Sequence, residues 1–243
     1  MNNLVRLGLV ATCATTLVAG DAKDALQAAA KKLADKPNYS WTSTLELEGT
    51  QFRPGPTKGK TEKDGCTVVV YEGDQGNVEA VLKGDKGVVK TEEGWQTGRE
   101  LSEAASGGGG GPARWLGRLL LATKRPAQEV EDLLTKVKEL KPGEDGVIAG
   151  DLTEEGAKEL LTFRRRAREG QSQPPPPKNA KGAVKFWVKD GLLSKFQVRV
   201  SGTVTFGQNQ EERDVTRVTT TEINEVGTTK IEVPEAAKKK LSS

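Results

Sequence analysis

Apolar and polar residues alternate most clearly in the last third of the chain. Val184, Phe186 and Val188 alternate with Lys185, Trp187 and Lys189, a period of two that predicts a half-buried strand. Asp190-Gly191 follows, the two-residue turn chemistry of a hairpin. The return strand places Phe196, Val198, Val200, Gly202, Val204 and Phe206 on one face, and Lys195, Gln197, Arg199, Ser201, Thr203 and Thr205 on the other. Arg213–Glu225 reads as a Thr-rich strand and Thr228–Val233 as a short one, with Pro234 opening a basic terminal helix.

A second strand group lies near the beginning. Tyr39, Trp41, Ser43, Leu45 and Leu47 alternate with Ser40, Thr42, Thr44, Glu46 and Glu48 up to Gly49. Residues 51–64 are polar and carry Pro54 and Pro56, which predicts a long loop. Cys66–Tyr71, Asn77–Lys83, Gly87–Thr91 and Gly94–Thr97 then form an antiparallel meander, because the short Gly-rich separators between them cannot make parallel crossovers.

The remaining segments carry the helical period. Leu26, Ala29, Ala30 and Leu33 form one stripe of a helix over Ala25–Lys36, stopped by Pro37. Between the strand groups, Gly107–Gly111 is a five-glycine hinge, and Trp115, Leu116, Leu119 and Leu120 form the apolar face of the next helix. Pro126 opens another, where Val130, Leu133, Leu134, Val137 and Leu140 recur until Pro142-Gly143. After a strand over Gly146–Leu152, Asp151 or Thr153 caps a third helix, with Glu154 and Glu155 at its positive end. Arg164, Arg165, Arg166 and Arg168 sit towards its negative end, and Pro174–Pro177 is a stiff extended segment. No boundary divides the chain. Two strand groups around a helical block fit one curved antiparallel sheet covered by helices, an α+β fold.

The N-terminus adds a location. Residues 1–20 read as a secretory signal: one Arg, an apolar stretch Leu7–Val18 too short to span a bilayer, and Val18-Ala19-Gly20 before Asp21. Residues 21–243 are then one exported domain. Val10-Ala11-Thr12-Cys13 resembles a lipoprotein box, so lipidation at Cys13 is the alternative to cleavage before Asp21. With Cys13 removed, Cys66 is a lone thiol and makes no internal disulfide.

Composition narrows the chemistry. The 243 residues contain no His, which excludes Ser-His-Asp and Cys-His catalysis and imidazole metal ligation. Aromatics make up 5% and the net charge is +3, so neither stacking platforms nor the electrostatic footprint of a nucleic-acid binder is present. The glycine run lacks the Lys-Ser/Thr of a phosphate loop, and no EF-hand spacing occurs. We expect no enzyme and no cofactor.

The order of segments resembles the LolA/LppX-like family of bacterial envelope lipid and lipoprotein carriers. The local matches are Leu82-Lys83-Gly84-Asp85-Lys86-Gly87-Val88-Val89 with Gly94-Trp95, then Gly150-Asp151-Leu152 leading to Lys158-Glu159-Leu160-Leu161. Phe186-Trp187-Val188-Lys189-Asp190-Gly191-Leu192 and the ending Ile231-Glu232-Val233-Pro234 complete them. The resemblance spans most of residues 25–235, with departures near 104–112 and 169–182 that look like flexible insertions. It implies an open antiparallel half-barrel with helices covering its concave face, holding acyl chains or lipidated peptides between the two layers.

On that reading the candidate cavity residues are Trp41, Leu45, Leu47, Val78, Leu82, Trp95, Trp115, Leu116, Leu119, Leu120, Phe196, Val198 and Val200. Their simplest role is core; the functional role is to line an apolar cavity that an acyl chain fills. The glycine hinge makes the Trp115 helix either a fixed cover or a mobile lid. Arg164, Arg165, Arg166 and Arg168, with Lys238, Lys239 and Lys240, are solvated helix ends or contacts to an anionic membrane surface. The expected function is binding or carrying a lipid or lipoprotein acyl chain in the periplasm or cell envelope. The alternative is an envelope structural module with a filled core that binds another protein.

Overall fold

The computed structural model describes residues 19–50, 54–63, 65–73, 76–106, 111–162, 175–206 and 210–242. Residues 1–18 of the signal reading, with the lipobox, most of the glycine hinge, and Arg164, Arg165, Arg166 and Arg168, lie outside these residues; Ala19 and Gly20 belong to the first helix.

Helix α1 (Ala19–Ala34) comes first. Six strands follow: β1 (Asn38–Glu48), β2 (Thr57–Glu62), β3 (Thr67–Tyr71), β4 (Val78–Lys83), β5 (Lys86–Thr91) and β6 (Gly94–Thr97). Helices α2 (Gly98–Ser106), α3 (Pro112–Ala122) and α4 (Pro126–Leu134) cross to β7 (Val137–Pro142). After the turn Glu144–Gly146 come β8 (Val147–Leu152), α5 (Glu154–Leu161), β9 (Lys178–Lys189), β10 (Leu192–Phe206), β11 (Glu211–Asn224) and α6 (Glu235–Ser242).

Among the described residues, eleven strands form one antiparallel sheet in the order β6-β5-β4-β3-β2-β1-β11-β10-β9-β8-β7. The chain runs outwards from β1 to one edge, crosses through three helices to the other, and returns until β11 pairs with β1. The two edges, β6 and β7, do not pair, so the half-barrel stays open.

Cross-strand partners share a face, and the register defines an inner one. Trp41 pairs with Ile223, and Ser43 with Thr221, which pairs with Phe196 and through it Phe186. One row on, Leu45, Thr219, Val198 and Val184 align; in the next, Leu47, Arg217, Val200 and Gly182. Helices α1, α3, α4 and α5 lay Leu26, Leu33, Leu116, Leu120, Val130, Leu133 and Leu161 on this face in one continuous cluster. The outer face carries exposed pairs such as Lys195–Glu222 at 3.0 Å. Over β3–β6 that outer face is covered too: Val81 and Val88 pack with Ala237 and Leu241 of α6, against Trp95 and Cys66.

Several expectations change. The first helix begins at Ala19 rather than Ala25, and Ala22 is fully buried; Asp21 in its first turn suits the positive end of the helix. The long loop at 51–64 holds β2, whose Gly59 faces Trp41 across the ladder. The helix through Val130–Leu140 stops at Leu134, and Val137–Pro142 is an edge strand. A register shift between Val137 and Glu139 explains the misleading period. A bulge inserts one residue, so Val137 and Leu140 share a face at a spacing of three. Helix α2 was not foreseen. Thr228–Val233 is not a strand: β11 already has partners on both sides, and the chain instead folds into a turn in which the Thr228 and Thr229 amides donate to the Glu225 carbonyl at 3.1 Å each.

Candidate functional site

A cavity of about 730 Å³ opens at the end of the sheet where the β4–β5 turn, the start of α2, the end of α3 and the last turn of α6 meet. Four glycines, Gly65, Gly84, Gly87 and Gly98, leave parts of its lining without side chains. A Cβ on Gly87 would come 2.7 Å from Leu120 Cδ1 and 2.8 Å from Leu82 Cδ2, so any side chain there pushes the two leucine ends aside. Leu82, Val88, Leu120, Leu121 and Leu241 form the apolar wall.

Charged groups ring that wall. Lys86, Arg99, Arg125 and Lys240 face the cavity with Asp85 and Glu100. Lys240 Nζ reaches Glu100 Oε1 at 2.6 Å. The Thr97 amide donates to Glu100 Oε2 at 2.8 Å and the Thr97 hydroxyl at 2.9 Å. The hydrogen bond from Lys240 and those from Thr97 pull the Glu100 carboxyl down to about 2, so it stays ionised and holds α6 against α2. Arg125 Nε donates to Gln128 Oε1 at 3.2 Å.

A second polar region lies on the inner face. Half-buried Glu129 of α4 is pushed up to about 7 by burial, which outweighs the attraction of Lys124 and Arg217. Arg217 of β11 donates to the Leu160 carbonyl of α5. Buried Lys136 spans Asp132 at 2.8 Å and Glu159 at 3.5 Å, tying α4 to α5. This network clamps helices to the sheet; it brings no nucleophile next to a base. Among the described residues no cluster of His, Cys, Asp or Glu could hold a metal ion, and no helix is long and apolar enough to cross a membrane.

Solved structures align with most of this chain. LprF from Mycobacterium bovis aligns at 10% identity and a TM-score of 0.43, covering 90% of this chain and 98% of that one. The Mycobacterium tuberculosis lipoprotein LppX aligns at 11% identity and 0.47, covering 89% and 100%. A LolA superfamily protein from Nitrosomonas europaea aligns at 10% identity and 0.31, covering 87% and 94%. The chain is similar to LolA/LppX-type proteins in fold. No family model matches the sequence, and no curated protein does.

The structure scatters the expected cavity residues. Of the thirteen, Leu82 and Leu120 line the cavity. Trp41, Leu116, Phe196, Val198 and Val200 are buried in the core. The indole N–H of Trp41 donates to Thr61 Oγ1 at 3.2 Å, so that side chain is fully used in packing. Val78 packs against the same cluster. Leu45 and Leu47 are half-buried on the inner face beside Thr219 and Arg217. Leu119 is half-buried on α3. Trp95 points the other way, onto α6, because its partner Lys90 lies on the outer face. Trp115 is exposed. Of the terminal lysines, Lys240 reaches the cavity through Glu100, whereas Lys238 pairs with Glu235 of its own helix.

The sequence reading missed Arg99, Glu100 and Arg125. Thr97-Gly-Arg-Glu100 was the available signal: a Thr three residues before a Glu is a capping box, which would have placed the start of α2 and its charges directly after β6.

Proposed function

We propose that the protein binds an amphiphile, a lipid or lipoprotein acyl chain, in the cavity at the end of the sheet. The observation that carries this is the pairing of a leucine wall, beside glycines, with a rim in which Lys86, Arg99, Arg125 and Lys240 outnumber Asp85 and Glu100. A volume of about 730 Å³ lies in the range of small-molecule sites. Burial of the chain would supply about 0.8 kcal/mol per CH₂, and the rim favours an anionic head. Non-covalent binding needs no nucleophile or cofactor. The protein would act in the periplasm or cell envelope, a reading that rests on Leu7–Val18 and the small residues after it.

Native mass spectrometry with lipid extraction of the exported protein tests this, together with uptake of a fluorescent fatty acid. Gly98→Leu is the diagnostic variant. A Cβ there meets only Leu120 Cδ2, at an ordinary 3.8 Å, so the backbone accepts a side chain that enters the cavity, and circular dichroism checks that the fold is kept. We expect uptake by the wild type and at least a tenfold loss in Gly98→Leu (about 1.4 kcal/mol). No lipid and no uptake would sink the proposal.

A second reading is a protein-interaction module of the envelope. The observation favouring it is the packed inner face, where Trp41, Phe196, Val198 and Val200 belong to one continuous core. Consistent absence of lipid in both assays would leave this reading standing.

A further inference from the structure

Helix α3 leaves large apolar side chains in water. Trp115 is 52% exposed and Leu121 74% exposed. The helix buries Leu116 and Leu120 on its inner side, and at 100° per residue the opposite arc presents Leu121, Arg114, Arg118, Ala122 and Trp115 in turn. Arg118, Leu121 and Ala122 are exposed and Arg114 half-exposed. Neither arginine makes an ion pair among the described residues.

Along the sequence the charge around α3 has one sign. From Ala104 to Gln128 there is no Asp or Glu, while Arg114, Arg118, Lys124 and Arg125 fall in that stretch. The nearest acids on α2 are already engaged: Glu103 with Arg99 at 3.2 Å and Glu100 with Lys240 at 2.6 Å. Large apolar side chains set among guanidiniums fit an anionic bilayer, whose phosphates take the guanidiniums while its acyl boundary takes Trp115 and Leu121.

We propose that α3 is an in-plane docking helix for an anionic lipid bilayer. Trp115 and Leu121, at the two ends of that arc, enter the boundary between headgroups and acyl chains, and Arg114 and Arg118 between them extend their guanidiniums back to the phosphates, as long cationic side chains do at an interface. Leu121 also lines the cavity at the sheet end, so docking sets the cavity mouth against the bilayer. The inference goes beyond the binding function and stands whatever the cavity holds.

Vesicle co-sedimentation of the full chain tests it, using phosphatidylcholine alone and phosphatidylcholine with a third phosphatidylglycerol. Comparing variants in one chain keeps any contribution of the N-terminal segment constant. We expect binding to the anionic vesicles that weakens with salt, and an affinity about 30-fold lower for Arg114→Gln/Arg118→Gln. Trp115→Ser/Leu121→Ser should also lose at least tenfold, with circular dichroism confirming the fold. Brominated lipid should quench wild-type tryptophan emission more than that of Trp115→Phe. Equal partitioning of wild type and both double variants overturns the proposal. So does a concentration-dependent dimer abolished by Trp115→Ser/Leu121→Ser without vesicle binding, which would assign the face to a second copy. Fatty-acid uptake is read without vesicles, so failure of docking and failure of the cavity are separable.

Discussion

The indole of Trp41 occupies the space that a side chain on Gly59 would need. The two residues are paired across β1 and β2, and a Cβ on Gly59 would overlap Cε2 and Cζ2 of the indole. The indole N–H passes over that position to Thr61 at 3.2 Å. Gly59→Ala therefore forces the largest side chain of β1 out of its place. We expect destabilisation of about 1–3 kcal/mol, read as a lower urea midpoint with an unchanged slope. Gly117→Ala is the contrasting substitution, since its Cβ would meet only Leu101 Cβ at 3.8 Å. Inside α3 it should stabilise by about 0.5–1 kcal/mol.

The start of α5 rests on one hydroxyl. Thr153 accepts from the Gly156 amide at 2.9 Å, and Gly156 packs so closely on Lys136 that a Cβ there would lie 2.7 Å from Lys136 Cβ. Thr153→Ala should lower stability by about 1 kcal/mol. Thr153→Ser should recover most of it, a comparison made by thermal unfolding.

Glu129 makes stability pH-dependent. Folded, its carboxyl holds a proton up to about 7; unfolded, it releases it near the ordinary 4.5. Between those values the folded state binds more protons, so the stability tied to this group is fully present below about 4.5 and is lost as pH rises through about 7. Lys124, Asp132 and Arg217 act on the same carboxyl. Glu129→Gln should match the wild type in acid and exceed it by about 2–4 kcal/mol near pH 8. Equal pH profiles for the two proteins would contradict this.

Glu100 acts in the opposite sense. Its carboxyl is held at about 2, so its contribution is present above the ordinary 4.5 and is lost as pH falls through about 2. Glu100→Gln should loosen α6 at neutral pH by removing the partner of Lys240. Faster trypsin cleavage at Lys238–Lys240, with the sheet still protected from hydrogen exchange, is the expected readout.

Strand alternation was legible because it records burial on one face, a local property of the chain. It located β1, β9 and β10, threonine content located β11, and the left-handed Asp190-Gly191 turn (φ 53° and 70°) sits where the hairpin signal placed it. Reading failed where local pattern and pairing diverge. The bulge before Glu139 made a strand look helical, and Gly59 made a paired strand look like loop. The candidate site was less legible still. Leu82 and Leu120 were named, but as members of an apolar face rather than as walls of a rim cavity.

By itself the sequence determined the strand and helix periods, the histidine-free chemistry, the near balance of charge and the acid-free stretch from Ala104 to Gln128. Only the tertiary structure decided which apolar residues are spent on core and which are left over. That partition depends on contacts between residues far apart in the chain: Trp41 with Gly59, Gly87 with Leu120, Lys240 with Glu100. Hydrophobic character drives a side chain out of water, but whether it meets a neighbour, a void or the solvent is set by packing across the sheet. Trp41 and Trp115 have the same side chain; one fills the core and the other faces outwards because their partners differ.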